Sequence, residues 1–178
     1  MKRRAMLAAT GTALLAGCLG AFTVRSDSEE GGFVDGYQDV ALLALADLTE
    51  DGWTQVSAPE PESTRFERVD GDYVHVLDSA VERYESIATA IGRFGEELDR
   101  AREDANPDLL DLADDAFVAT PRTNVAVVWF RDRDTLGRVS YTILKSTAAE
   151  MRGVDTALAV GYASTMHAKV VTNRPDSA

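Results

Sequence analysis

Apolar residues in the middle of the chain recur at helical spacing: Val81, Tyr84, Ala88, Ile91, Gly95 and Leu98 are three or four residues apart. Ile87 and Phe94 widen this stripe, and Glu82, Arg83, Glu85, Arg93, Glu96, Glu97, Arg100 and Glu103 fill the opposite side. The pattern predicts a helix over 80–104. Ser79 serves as N-cap, Glu82 completes a capping box, and Asn106-Pro107 is the stop. At about 1.5 Å per residue such a helix spans nearly 40 Å, enough to cross a whole sheet.

Elsewhere the pattern is that of strands. Trp53-Thr54-Gln55-Val56 reads as a first strand, following a short buried helix over 38–48 that ends at Glu50-Asp51-Gly52. The runs Arg65–Val69 and Asp72–Leu77 flank Asp70-Gly71, which predicts a hairpin with a type I′ turn. After the long helix comes an acidic connector over 107–115, in which Leu109, Leu110 and Leu112 are apolar. Three strands then follow in close order, Ala116–Thr120, Asn124–Arg131 and Gly137–Leu144. The middle one, apolar from Val125 to Phe130, suits a strand covered on both faces. A last helix, rich in small residues, runs from Asp155 to Val170, and a polar tail closes the chain. The order implies one α+β domain over 33–172, an antiparallel sheet of five to six strands with the long helix and the C-terminal helix packed on it.

The first 32 residues read differently. Met1-Lys2-Arg3-Arg4 is basic, Ala5 to Gly17 is weakly apolar and too short to span a bilayer, and Cys18 is the only cysteine. Leu15-Ala16-Gly17-Cys18 resembles a lipobox: an aliphatic residue, two small residues that admit a peptidase, and a thiol that takes the lipid. Arg3-Arg4 with the interrupted apolar run resembles a twin-arginine export signal. These resemblances imply a signal peptide over 1–17, lipidation at Cys18, a flexible tether over 18–32 and residence on the outer face of the cytoplasmic membrane. A two-chain lipid on Cys18 supplies the second hydrophobic signal that stable anchoring needs.

Charge narrows the partners. The chain carries 30 Asp and Glu against 18 Lys and Arg, a net charge of −12 at pH 7. Losing residues 1–17 removes three positive charges and no acid, which lowers the balance from −12 to −15. Such a surface has no basic patch with which to release counterions, so nucleic acid is not an expected partner. It also disfavours adhesion of the domain itself to an anionic bilayer. Abundant acid with scarce lysine resembles the proteins of salt-loving archaea. In the mature part, Gly52-Trp53, Asp78-Ser79-Ala80, Asp114-Asp115-Ala116-Phe117 and Val139-Ser140-Tyr141 resemble exported sensor-like and lipoprotein domains of actinobacteria. That likeness implies ligand or partner binding rather than catalysis; such domains usually carry disulfides, which one cysteine cannot form within the chain.

The residues offer little reactive chemistry. His75 falls in a predicted strand and His167 in the last helix, without the spacing of a zinc site. There is no serine elbow, phosphate loop or dinucleotide fingerprint. The acidic pairs Asp70/Asp72, Asp114/Asp115 and Asp132/Asp134 lack the calcium-loop pattern and read as solvated surface. No metal and no cofactor are expected. Tyr73, Tyr84 and Trp129 are the candidate lining of a pocket between the long helix and the sheet. The expected function is an anchored, non-catalytic domain that binds a ligand or serves an envelope complex. The alternatives are an anchored hydrolase using surface carboxylates and a structural envelope lipoprotein.

Overall fold

The structure, a computed structural model, describes residues 40–60, 62–145 and 152–174. The leader, the tether and the lipobox lie outside the described residues. Within them the strands are β1 (Thr54–Val56), β2 (Ser63–Asp70), β3 (Tyr73–Arg83), β4 (Asp108–Leu109), β5 (Asp115–Arg122), β6 (Val125–Asp132) and β7 (Thr135–Lys145). The helices are α1 (Ile87–Asp104) and α2 (Thr156–Thr172), with a single 3₁₀ turn at Leu45–Asp47. All seven strands form one antiparallel sheet in the order β1-β2-β3-β7-β6-β5-β4. The chain builds β1 to β3 as one meander, crosses to the far edge through α1, and returns as β4 to β7. The two meanders join along β3 and β7, from Tyr73↔Lys145 to Arg83↔Thr135.

Alternation along the strands sorts side chains between two cores. Ala126, Val128 and Phe130 of β6, Val139, Tyr141 and Ile143 of β7, and Leu77 and Phe66 beside them form the larger core. Over it lie Ala159, Tyr162, Ala163, Met166 and Val170 of α2 and the segment Ala41-Leu42-Leu43. The opposite face gives Phe117, Ala119 and Leu136 to a smaller core with Ala90 and Phe94 of α1, against which Trp129 and Tyr84 pack. β6 thus puts apolar residues on both sides, as its unbroken apolar run suggests. Gly137 lies opposite Phe130 in the ladder, and a methyl there would overlap the Phe130 ring, so the aromatic fills the space that the glycine leaves.

Five expectations need correction. The sheet has seven strands, not five to six; the seventh is β4, within the stretch read as a connector. The long helix starts at Ile87, and 79–83 belong to β3, where each residue pairs with β7. An eleven-residue ladder outweighs the helical spacing of Val81 and Tyr84. Ser79 is therefore a buried strand residue, and the N-cap is Ser86, whose side chain accepts from the Thr89 N–H at 3.1 Å. Third, α1 turns Ala90, Phe94 and Glu97 inward and leaves Ile87 and Ile91 exposed. At 18 residues it is about 27 Å long.

The segment 38–48 is helical only at 40–41 among its described residues, before the 3₁₀ turn. Hydroxyls from the sheet hold the backbone groups that a continuing helix would use. The Leu43 N–H donates to Ser79 Oγ at 3.4 Å, and Thr64 donates to the Leu43 carbonyl at 3.2 Å. The 2.7 Å Ser79–Thr64 contact closes the ring, with Ser79 as its donor. Last, the hairpin turns on Gly71-Asp72 with Asp70↔Tyr73 as its closing pair. Only Gly71, with φ of 58°, is left-handed there, which is the sign pattern of a type II′ rather than a type I′ turn.

Candidate functional site

The three aromatics expected to share a pocket do not meet. Tyr73 opens β3 and packs on the larger core. Tyr84 and Trp129 border the smaller one, on the opposite face. Tyr84 follows β3 directly, about 36 Å from Tyr73 along an extended strand at ~3.3 Å per residue. Its hydroxyl donates to Glu82, while Trp129 lies under the Arg138 guanidinium at 5.7 Å. Both rings are committed to packing. Arg3, Arg4, Leu15, Ala16, Gly17 and Cys18 lie outside the described residues.

Asp114/Asp115 and Asp132/Asp134 are partners of basic side chains, while Asp114 and Asp115 remain 49 % and 46 % exposed. Asp115 accepts from Arg131 Nε at 2.8 Å, and Asp114 from Arg131 Nη1 at 3.1 Å, with the Arg131 side chain buried between them. Asp134 pairs with Arg83 at 2.9 Å. Asp132 is held on both oxygens, by His167 Nε2 at 2.8 Å and by Arg174 at 2.6 Å. Burial pushes its carboxyl up, but Arg174 and His167 outweigh that and leave it below the usual carboxylate range. Among the described residues no three His, Cys, Asp or Glu side chains gather as a metal site.

A denser polar cluster lies on the α2 side of β1, β2 and β3. Arg68 and His75 are direct cross-strand partners. Trp53, one residue before the Thr54↔Glu67 pair, extends the same row at the edge. The left-handed turn at Gly52, with φ of 90°, leads into Trp53. The Arg68 guanidinium lies over the indole at 5.2 Å, and its Nη1 reaches Glu50 Oε2 at 3.1 Å. Tyr162 of α2 donates to the same Glu50 oxygen at 3.2 Å. One step further in, His75 Nδ1 meets the Tyr141 hydroxyl at 2.6 Å, with His75 3 % and Tyr141 1 % exposed.

The electrostatics favour a neutral His75. Burial lowers its pKa, as do Arg68 and Arg152, against Asp70 and Glu50. Burial and Glu50 raise Tyr141 and Tyr162, so both keep their protons. His75 Nε2 points toward Asp70 Oδ2, 3.9 Å away. A lone pair facing a carboxylate is unfavourable, so the ring proton belongs on Nε2 and Tyr141 donates to Nδ1. Three buried nitrogens in this one row, Trp53 Nε1, Arg68 Nε and His75 Nε2, have no hydrogen-bond partner. Leaving buried donors unpaired costs about 1–3 kcal/mol each, so such a concentration marks the place as unfinished.

The cluster was not among the sequence candidates. Its signal was the alternation Phe66, Arg68 and His75, Leu77 on either side of the turn, which a correct turn phase converts into cross-strand pairs. Comparison with known proteins finds no family model, no curated protein and no solved structure that matches the chain.

Proposed function

We propose that the chain is a lipoprotein anchored through Cys18 on the outer face of the cytoplasmic membrane, and that its domain works by binding rather than catalysis. The Leu15-Ala16-Gly17-Cys18 motif behind a basic, apolar start supports the anchor. The observation that carries binding is the row Trp53–Arg68–His75, three neighbouring side chains each with a buried nitrogen that has no hydrogen-bond partner. Two further features favour binding over an anchored hydrolase. The Tyr141 hydroxyl and His75 Nδ1 are spent on each other, and Asp114, Asp115, Asp132 and Asp134 are each engaged by Arg131, Arg174, His167 or Arg83. An accessory role in an envelope complex is the setting in which such a domain would act.

Membrane fractionation and cross-linking test this reading together. Wild-type protein should sediment with membranes and Cys18→Ser should not; a fully membrane-bound Cys18→Ser protein would overturn the anchor. Cross-linking in native membranes should then give a stoichiometric partner, or a ligand should co-purify. Turnover on a substrate panel with neither would instead favour the hydrolase.

A further inference from the structure

We infer that the row Trp53–Arg68–His75 is an anion site, which takes a single compact anionic acceptor: a halide ion or the carboxylate of a small molecule. The inference rests on the cluster's own geometry and not on membrane attachment, so the two can fail separately.

The donors are of one kind. Trp53 Nε1 and Arg68 Nε carry hydrogen and cannot accept, and with Tyr141 donating to Nδ1 the His75 Nε2 is a donor too. Arg68 and His75 share a face of adjacent strands, where directly opposed Cβ atoms are about 4.5–5.5 Å apart. The Arg68 guanidinium is itself stacked on Trp53. A water molecule offers two lone pairs and must place two hydrogens of its own. Three N–H donors ask for an acceptor with more lone pairs and nothing to donate, which is an anion. Arg68 and Arg152 supply positive charge; Glu50 is occupied by Arg68 Nη1 and Tyr162, and Asp70, whose Oδ2 lies 3.9 Å from His75 Nε2, is 62 % exposed to solvent and is offset by Arg152 at 4.0 Å. Low exposure strengthens a charge-assisted bond to such an ion.

The test is ³⁵Cl NMR on the full chain in detergent. Chloride exchanging with a protein site broadens its resonance. The expected result is excess linewidth for wild type that bromide displaces. Trp53→Phe keeps the ring over Arg68 but removes Nε1–H; Arg68→Lys keeps the charge but removes Nε–H. Each should lose most of the excess, and circular dichroism identifies a variant that fails to fold, leaving the other to decide. Displacement by acetate assigns the site to a carboxylate headgroup as well, and failure of acetate to displace restricts it to ions of halide size. No excess linewidth in wild type, or the same excess in both folded variants, would overturn the site and leave ordinary bound water as the occupant.

Discussion

The contact between Tyr141 and His75 is where single residues matter most. Tyr141→Phe removes the donor to a buried Nδ1 and leaves it unpaired, at a cost of about 1–3 kcal/mol. Adding His75→Phe removes both partners, so the double variant should lose less than the sum of the two singles. Urea unfolding of the four proteins measures that coupling, and strict additivity would mean that the bond contributes nothing. The same histidine sets a pH dependence. Its folded pKa lies below the free value of 6.5, mainly through burial and then Arg68, while Asp70 and Glu50 pull the other way. Between the two values the unfolded chain binds a proton that the folded chain does not. Stability therefore rises with pH through that window and falls as pH drops below about 6.5. A urea midpoint that falls between about pH 7 and pH 5 in wild type, and falls less in His75→Phe, is the expected result. Gly137 is a second sensitive position. Gly137→Ala drives a methyl into Phe130 and should cost about 1–3 kcal/mol or more, as an overpacked core does.

At the scale of elements, α1 separates two kinds of position. Ser86→Ala deletes its N-cap and should lower stability by about 1 kcal/mol, whereas Gly95→Ala, with no atom within 4 Å of the added methyl, should raise it by about as much. Thermal unfolding of the two variants checks both signs. These predictions differ from those that periodicity suggests, since Ser79 looked like the cap. The spacing Val81, Tyr84, Ala88 is helical in sequence, but a strand long enough to pair with all of β7 takes the first two. That partner is more than fifty residues away, and no local pattern announces it. The elements whose signals are local were legible: the cap of α2 at Asp155, the hairpin at Gly71, and the apolar run of β6. β4 was not, because two residues, with Leu109 72 % exposed, have no periodicity to read. The candidate site failed for a related reason. A pocket drawn from aromatic residues presumes that they share a face, and Tyr73 and Trp129 face opposite cores because their faces follow from the register of β3 and β6 through β7. The row Trp53–Arg68–His75 needed the register of β1 on β2 and the phase of the turn, both set by pairing.

Charge acts at the scale of the whole molecule, where two effects of salt oppose each other. Screening weakens the attraction in ion pairs, and it weakens the self-repulsion of a chain with net charge −12. The pairs that matter most are the sheltered ones. The Arg131 side chain, 8 % exposed, holds Asp114 and Asp115, and Arg65 makes a two-pronged contact with Asp78 at 2.6 and 3.0 Å. Salt reaches such contacts poorly, and the exposed pairs on α1, such as Arg102 with Asp99, are worth about 0–1 kcal/mol each in any salt. Repulsion among the remaining acids acts through solvent over distances beyond the Debye length of molar salt, about 3 Å, and is lost there. Repulsion is thus the larger casualty, and stability should rise with salt. Raising KCl from about 0.1 M to molar concentrations should increase the melting temperature, with most of the gain at the low end, where the Debye length is still about 10 Å. An occupied anion site adds to this a part that depends on which anion is present. At equal ionic strength, chloride should then stabilise wild type relative to a bulky anion such as gluconate, and Trp53→Phe should show a smaller difference. A melting temperature flat or falling in salt would overturn the repulsion argument. A rise with the same anion dependence in both proteins would assign the whole salt effect to screening.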